Sequence, residues 1–504
     1  MSDETPMPSG WCEVQLEDLV LNPKSDLVDG PFGSNLKSSE YVESGIPVLK
    51  IQNIKANRFV RKRLSYVTPK KAAELSRHSF VAGDLMITKL GEPLGLCCEV
   101  PADLEHGVFV ADLMRLRPSA KIVDSAFLLH AINSVVVQGQ FKEITKGTTR
   151  QRVNLSIVRG IKLALPPLAE QQRIMGKVEE LFSELDEGVA NLKQARAQLV
   201  VYRQALLKHA FEGHLTADWR TKHASELESA DQLLARIRAE RDADCDSISE
   251  EESKALPVLP SGWTHARFGE FIQSMSAGKS FSCEERRPRP EEIGVAKVSA
   301  VTWGEYQEAE SKTCVDATKI NPAYFIQEGD FLLSRANTID LVGASVIVKR
   351  VTQRIMLSDK TLRLSIKGIP PEYLLYYLRS RQGRREIMAR STGNQESMRN
   401  IGQDRIRSII VPVCSPAEAA KIVELLETHL PAIVAEEADI DLNLQKAEAL
   451  RQSILKKAFA GELVPQDPAD EPAAALLARI RAEREAATAR PKAKQAGKRP
   501  AKLT

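Results

Sequence analysis

A stretch of some forty residues occurs twice in this chain at one fixed offset, and any fold must give both copies a place. The first copy, LPPLAEQQRIMGKVEELFSELDEGVANLKQARAQLVVYRQALLKHAFEGHL, starts at Leu165; the second, SPAEAAKIVELLETHLPAIVAEEADIDLNLQKAEALRQSILKKAFAGEL, starts at Ser415. Ile174 pairs with Ile422, Ala210 and Phe211 with Ala458 and Phe459, and Gly213 with Gly461, always 248 positions apart. No insertion falls within the segment in either copy, so its length is expected to be a functional quantity. In the first copy Ile174, Val178, Leu181, Leu185, Leu192, Ala195, Leu199, Tyr202 and Leu206 recur at steps of three and four, a heptad seam broken only at Gly188. Pro166 and Pro167 precede the helix, and Gly213 stands where a left-handed C-terminal cap belongs. Acidic residues crowd its first half (Glu170, Glu179, Glu180, Glu184, Asp186, Glu187) and basic ones its second (Lys193, Arg196, Arg203, Lys208), as the helix dipole favours. Such a helix spans roughly 60 Å at ~1.5 Å per residue. The second copy is less regular: His429, Glu436 and Asn443 fall on seam positions, and Pro431 is expected to kink the helix or delay its start. The two copies are expected to pack antiparallel.

The repeat extends beyond the helices. Pro8-Ser9-Gly10-Trp11 is matched by Pro260-Ser261-Gly262-Trp263, GIPVLKIQ from Gly45 by EIGVAKVS from Glu292, GDLMITKL from Gly83 by GDFLLSRA from Gly329, and ADLMRLRP from Ala111 by DKTLRLSI from Asp359. These alternating or short apolar runs read as strands, and DSAFLLHAINS and PEYLLYYLRSRQGRREIMA read as helices, so each half is an α+β globule followed by a long helix and a short LLARIRAE helix. The expected division is 1–165 and 256–413 globular, 166–241 and 414–486 helical, 242–255 an acidic linker, and 487–504 a basic disordered tail.

Few chemistries survive inspection. Seven cysteines without a C-x-x-C pair argue against a disulfide framework or a zinc site. No apolar run is long enough to span a bilayer and the N-terminus lacks signal-peptide character, so a cytoplasmic location with no membrane partner is expected. Ser276-Ala277-Gly278-Lys279-Ser280 ends like a phosphate loop, but Gln273 occupies the first glycine position and no hydrophobic strand is expected to lead into it. Pro166-Pro167 follows a leucine, where the amino-methyltransferase motif has Asn or Asp, and no nucleophile elbow or H-E-x-x-H occurs. His209 and His214 are expected to cap the end of the first long helix. The chain reads as non-enzymatic.

What remains are polar loops able to read a duplex. KGTTRQRVN, holding Lys146, Thr148, Thr149, Arg150, Gln151 and Arg152, leads into the strand IKLAL; its counterpart TGNQESMRN holds Asn394, Gln395, Ser397 and Arg399. Arg suits guanine edges, Asn and Gln suit adenine. Ser34, Asn35 and Lys37 in the first half, and Lys279, Arg286, Arg287 and Arg289 in the second, are similar candidates, while Lys89 and Arg335, matched across the repeat, are phosphate anchors or scaffold ion pairs. Net charge is only +3, so any basic surface is local.

The LPPLAEQQRI lead-in, the AFEGHL and AFAGEL exits, and GSNLKSSEYVESGIPVLKIQNI in the first globule make the chain resemble the DNA specificity subunit of a type I restriction-modification system, over nearly its whole length. The resemblance implies two target recognition domains in tandem, joined by antiparallel coiled-coil helices. It further implies double-stranded DNA as ligand, modification and restriction subunits as partners, no cofactor on this chain, and S-adenosylmethionine, ATP and Mg on those partners. The second lead-in, VPVCSPAEAAKI, departs from the pattern and puts equal docking surfaces in doubt. The alternative is a coiled-coil scaffold with two protein-binding globules and no DNA recognition.

Overall fold

A computed structural model describes residues 7–31, 35–144, 153–240, 248–254, 256–280 and 282–489. The repeated segments are single helices, Leu168–Phe211 and Pro416–Ala460. Pro431 neither delays nor interrupts the second one. It is exposed, as is Glu427 one turn earlier, so water can satisfy the Glu427 carbonyl that loses its intrahelical donor. At the end of the first helix the amides of His214 and Leu215 both donate to the His209 carbonyl (2.9 and 3.0 Å), with Gly213 at φ 75°. Backbone, not the expected histidine side chains, caps it.

The chain divides into two units, Met1–Asn191 with Asn443–Thr504, and Leu192–Leu442. Each long helix therefore gives its first part to one unit and its last part to the other. In the first unit Arg451 pairs with Asp186 and lies over the Phe182 ring; in the second Arg203 pairs with Glu437 at 2.5 Å and Arg196 with Asp441 at 3.4 Å. In the second unit partner numbers rise on one helix as they fall on the other, so the copies run antiparallel there. Arg203 and Arg451 are 248 positions apart and make the same type of bond. The seam itself differs from the heptad expectation at Tyr202, which is half exposed: Arg203 takes the inward position because its carboxylate partner is there.

The two α+β frames share one plan. In the first, Cys12–Gln15 pairs with Lys162–Leu165, the strand that runs into the long helix; in the second, Thr264–Arg267 pairs with Ile410–Val413. A four-stranded sheet follows in each, with Leu27–Asp29, Leu113–Leu116 and Leu85–Thr88 matched by Ile272–Ala277, Thr361–Ile366 and Phe331–Ser334. A second sheet contains Ile46–Leu49 in one frame and Gly294–Ala296 in the other. The expected strands are thus present in both halves, and Cys97 and Cys98 fill a buried strand.

Two segments differ from expectation. Within the acidic linker, Glu250–Lys254 is helical, because Ser249 and Glu252 cap one another and Glu252 also binds Arg267 at 2.8 Å. The final helix, Ala473–Ala489, runs three residues into the stretch read as tail, whose residues 490–504 lie outside the described ones.

The short LLARIRAE helices complete the frames. Ala230–Ala239 buries Leu233, Leu234 and Ile237 in the second unit's core, and Arg238 binds Glu270 at 2.7 Å. Its equivalent buries Leu476, Leu477 and Ile480 in the first unit's core, and Arg481 binds Asp18 at 2.6 Å. Full burial of each such side chain stabilises by roughly 1.5–3 kcal/mol. Each copy thus serves the frame that does not immediately precede it in sequence: the first serves the frame after it, and the last serves the frame at the chain's beginning.

One buried bond ties frame to helix in both units. The Trp11 indole Nε1 donates to Glu170 Oε1 at 3.0 Å, and Trp263 Nε1 donates to Glu418 Oε2 at 2.9 Å. Glu418 also accepts from Thr216 Oγ1 (2.6 Å) and Arg220 Nε (2.8 Å). Beside Glu170 the arginine is Arg173, which turns to Asp470 at 2.6 Å instead. Burial pushes the Glu170 carboxyl above its ordinary pKa, with the Trp11 bond opposing the rise. A raised folded pKa means the folded state resists ionisation, so this group favours folding below the unfolded value and that contribution is lost as pH rises through the folded one. Glu170→Gln keeps an acceptor for Trp11 without the charge. It is expected to flatten the fall in stability as pH rises above about 4, the ordinary glutamate range, read from urea midpoints from that pH upward; an unchanged slope would contradict the burial argument.

Candidate nucleic-acid interface

The strand ends at one edge of each four-stranded sheet converge through equivalent backbone bonds. In the first frame Gly30 N donates to Leu113 O (3.0 Å), Lys89 N to Asp112 O (2.9 Å) and Val153 N to Lys89 O (3.1 Å). In the second, Arg335 N donates to Lys360 O and Ile401 N to Arg335 O, both at 2.9 Å. Lys89 and Arg335 therefore hold the same place, as their sequence match requires. Their side chains do different things. Lys89 is 6% exposed with Nζ 3.3 Å from Asp29 Oδ1, so it is built into the frame. Arg335 is half-buried and has no carboxylate partner among the described residues.

Two glycines make the convergence possible. A Cβ on Gly30 would overlap the Val110 carbonyl, and one on Gly278 would overlap the Leu357 carbonyl. Gly278 is thus a close-approach residue and not part of a phosphate loop. A strand, Ile272–Ala277, leads into Gly278 and Lys279, but it is largely polar and exposed, not the hydrophobic strand of a phosphate loop, and among the described residues no helix follows to supply the anion-binding N-terminus. Lys279 is exposed at the same sheet edge as Arg335, since Ala277 and Ser334 pair with the adjacent Leu362 and Thr361.

The TGNQESMRN segment is a hairpin rather than a loop, with Thr392–Gln395 and Met398–Asn400 paired and Ala336–Asn337 as a third strand. Asn394 lies on its first strand. Gln395, Ser397 and Met398 are exposed, and the Glu396 carbonyl is anchored by Ile339 N at 2.8 Å. Arg399 is half-buried opposite Asn337, with a buried Nε that has no hydrogen-bond partner. The structure therefore groups Lys279, Arg335 and the hairpin around one sheet edge. Arg286 and Arg287 belong elsewhere, beside the second sheet. Arg286 is held by Glu284 (2.7 Å) and Glu292 (2.6 Å), and it holds the Glu292 carboxyl down to about 2. Arg287 is exposed and forms no close ion pair among the described residues, its charge acting only at longer range on Glu308.

In the first frame Asn35 and Lys37 are exposed. Ser34, Lys146, Thr148, Thr149, Arg150, Gln151 and Arg152 lie outside the described residues. Just after them, the chain does not pass directly into its strand: Leu155–Arg159 forms a short helix capped by Asn154, whose Oδ1 accepts from Ile157 N at 2.9 Å.

Sequence reasoning passed over a cleft of about 480 Å³ in the first frame, lined among others by Pro31, Leu36, Tyr41, Lys50, Gln52 and Asp112. Its one sequence signal is a lysine directly after the apolar run IPVL, which reads as strand interior until the turn at Ile51–Asn53 is seen.

Residues 8–194 match the family model described as the type I restriction modification DNA specificity domain. The chain is 25% identical to the EcoKI specificity subunit of Escherichia coli K12 over 505 residues, covering 95% of this chain and 97% of that one. Over nearly its whole length the chain is thus similar to type I specificity subunits. Likewise, the EcoEI specificity subunit of Escherichia coli is 25% identical, with 84% and 79% of the two chains covered. The fold agrees. A crystal structure of the HsdS subunit from Thermoanaerobacter tengcongensis superposes with a TM-score of 0.53 at 19% identity, covering 92% of this chain and 99% of that one. A chain from a study of complex assembly and conformational transition of the type I R-M system gives 0.61 at 19% identity, covering 91% and 100%.

Because a Cβ at position 278 has only backbone to displace, Gly278→Ala is expected to destabilise by about 1–3 kcal/mol. The reading is the chemical-denaturation midpoint; a change within experimental error would mean the strand end moves freely.

Proposed function

We propose that this specificity subunit reads a bipartite, asymmetric DNA target, one α+β frame to each half, and positions partner subunits that carry out the chemistry. The observation behind the division of labour is one frame used twice with different side chains at the equivalent edge: Lys89 locked to Asp29 in one, Arg335 without a carboxylate partner in the other. A common scaffold with unlike edges is what two unlike half-sites require. The chain itself is non-catalytic. Methylation of adenine needs the base taken out of the stack and a methyl donor beside it, which falls to a modification subunit with S-adenosylmethionine, while ATP and Mg serve the restriction subunit. No helix among the described residues is long and apolar enough to cross a membrane.

The candidate base-reading residues are Ser34, Asn35, Lys37, Thr148, Thr149, Arg150, Gln151 and Arg152 for the first frame and Lys279, Asn394, Gln395, Ser397 and Arg399 for the second. Lys146, Arg287 and Arg335 are candidate phosphate contacts. A two-stranded ribbon such as 392–400 fits a major groove. Lys89 and Arg286 contribute through the frame, because their charges are engaged by carboxylates.

The paired helices are proposed as the ruler between half-sites. The first contains 44 residues, or ~66 Å at ~1.5 Å per residue, close to two turns of B-DNA at ~34 Å each. Deleting four residues within 190–204 is expected to change the spacer of the target while preserving both half-sites, read by mapping methylated adenines in cells carrying the complete system. An unchanged spacer would refute the ruler, and no sequence preference at all would refute DNA reading.

Charge engagement gives a second measurement. Arg287→Ala is expected to lower the slope of log affinity against log salt by about 0.9, the value of one phosphate contact, whereas Arg286→Ala should leave it nearly unchanged. Equal slopes for the two variants would remove Arg287 from the interface.

A further inference from the structure

The cleft in the first frame has a shape and a donor set that reading a stacked duplex does not call for. Base edges in a groove are met by protruding side chains; a concave site with apolar walls suits a ring that has left the stack. Pro31, Leu36 and Tyr41 supply walls, and Lys50, Gln52 and Asp112 supply the polar groups.

The site is held rigidly. Lys50 N donates to Asn53 Oδ1 at 2.9 Å and Asn53 Nδ2 donates to Val60 O at 2.8 Å, with Asn53 fully buried, so the turn carrying Lys50 and Gln52 is fixed from below. On the opposite wall Val110 N donates to Leu49 O at 3.1 Å and the Asp112 carbonyl accepts from Lys89 N. The Lys50 ammonium sits 3.9 Å from the centre of the Tyr41 ring, with no carboxylate partner among the described residues, so aromatic contact holds it and leaves its N–H groups to donate. Gln52 spends one N–H on the Arg63 carbonyl at 3.0 Å and keeps another.

We propose that this cleft holds one unstacked pyrimidine: the thymine left without a partner when the adenine of the same half-site is taken out for methylation. The proposal rests on the DNA-reading function above. Lys50 and Gln52 are two donors, and ionised Asp112 is an acceptor only. A pyrimidine's pairing edge presents two acceptors and one donor, their complement; guanine presents one acceptor and two donors, and adenine one of each. A phosphate would be repelled by Asp112, and an apolar side chain would leave Lys50 and Asp112 without polar partners in the cleft. Thymine is the pyrimidine that adenine flipping strands.

The test uses the full chain assembled with its modification subunits and a duplex carrying its mapped target. At each half-site in turn, the thymine opposite the methylated adenine is replaced by an abasic site. Affinities are compared for wild type, Lys50→Met and Gln52→Leu, the last at an exposed position where folding is not at stake. Each variant is expected to bind the intact duplex about tenfold more weakly and the abasic duplex as wild type does, at one half-site only. Equal penalties on intact and abasic duplexes at both half-sites would overturn the pocket. Failure of the wild-type complex to prefer its target over random duplex would instead overturn the DNA-reading function.

Discussion

The architecture depends on a tryptophan indole that finds its acceptor 159 residues away in one unit and 155 residues away in the other. Trp11 and Trp263 open their frames, and Glu170 and Glu418 open the long helices. The bond therefore closes each frame where it hands over to its helix. A buried carboxylate without partners would be expensive, and the two units satisfy it differently. Glu418 gathers Thr216 and Arg220. Among the described residues Glu170 has only Trp11 as a side-chain hydrogen-bond partner, and its raised pKa is the physical trace of that poorer solvation. The departure of the second lead-in from the PPLAEQQRI form has a counterpart here: Arg173 reaches Asp470, while Lys421 at its repeat position binds its own neighbour Glu424.

The same logic extends to the segments after the helices. Gly213 would meet Pro260 if it carried a Cβ, and Gly461 would meet Pro8. Each AF-x-G exit is thus packed against the opening proline of a PSGW motif, and both glycines adopt positive φ, 75° and 72°. The LLARIRAE helices then repeat each other down to individual ion pairs, Arg236 with Glu228 and Arg479 with Glu471, Arg238 with Glu270 and Arg481 with Asp18. A sequence split into consecutive domains misses this, since each frame takes its last helix from the other copy of the repeat.

What was legible in the sequence follows from what makes a local signal. Strand runs, helix ends and the 248-residue offset are carried by short-range pattern, and all appear in the structure. Tyr202 was misplaced because periodicity cannot tell that Arg203 has a carboxylate waiting across the helix pair. TGNQESMRN looked like a loop because polar β-hairpins without a buried face lack alternation, and its partner strand Ala336–Asn337 lies more than fifty residues earlier. Gly278 looked like half a phosphate motif because the carbonyl that excludes a Cβ comes from Leu357, far along the chain. Charged candidates were legible as charges but not as free or engaged: nothing in the sequence separates Arg286, gripped by two glutamates, from Arg287 beside it.

That distinction bears on how one frame can serve different targets. The bonds that fix the sheet edge are backbone to backbone, through Lys89 and Val153 in one frame and Arg335 and Ile401 in the other, so they constrain position without constraining side-chain identity. The glycines at 30 and 278 are constrained by space. Side chains projecting from this edge can then vary without disturbing the core beneath, where Leu85, Ile87, Leu113 and Leu116 on one side match Phe331, Leu333 and Leu362 on the other in being fully or nearly fully buried. On the proposed function, recognition would fall to side chains such as Arg335 while the main chain holds the edge; Lys89, paired with Asp29, serves the frame with both. A duplicated frame can diverge in what it reads for as long as the carbonyls, amides and glycines at its edge keep their places.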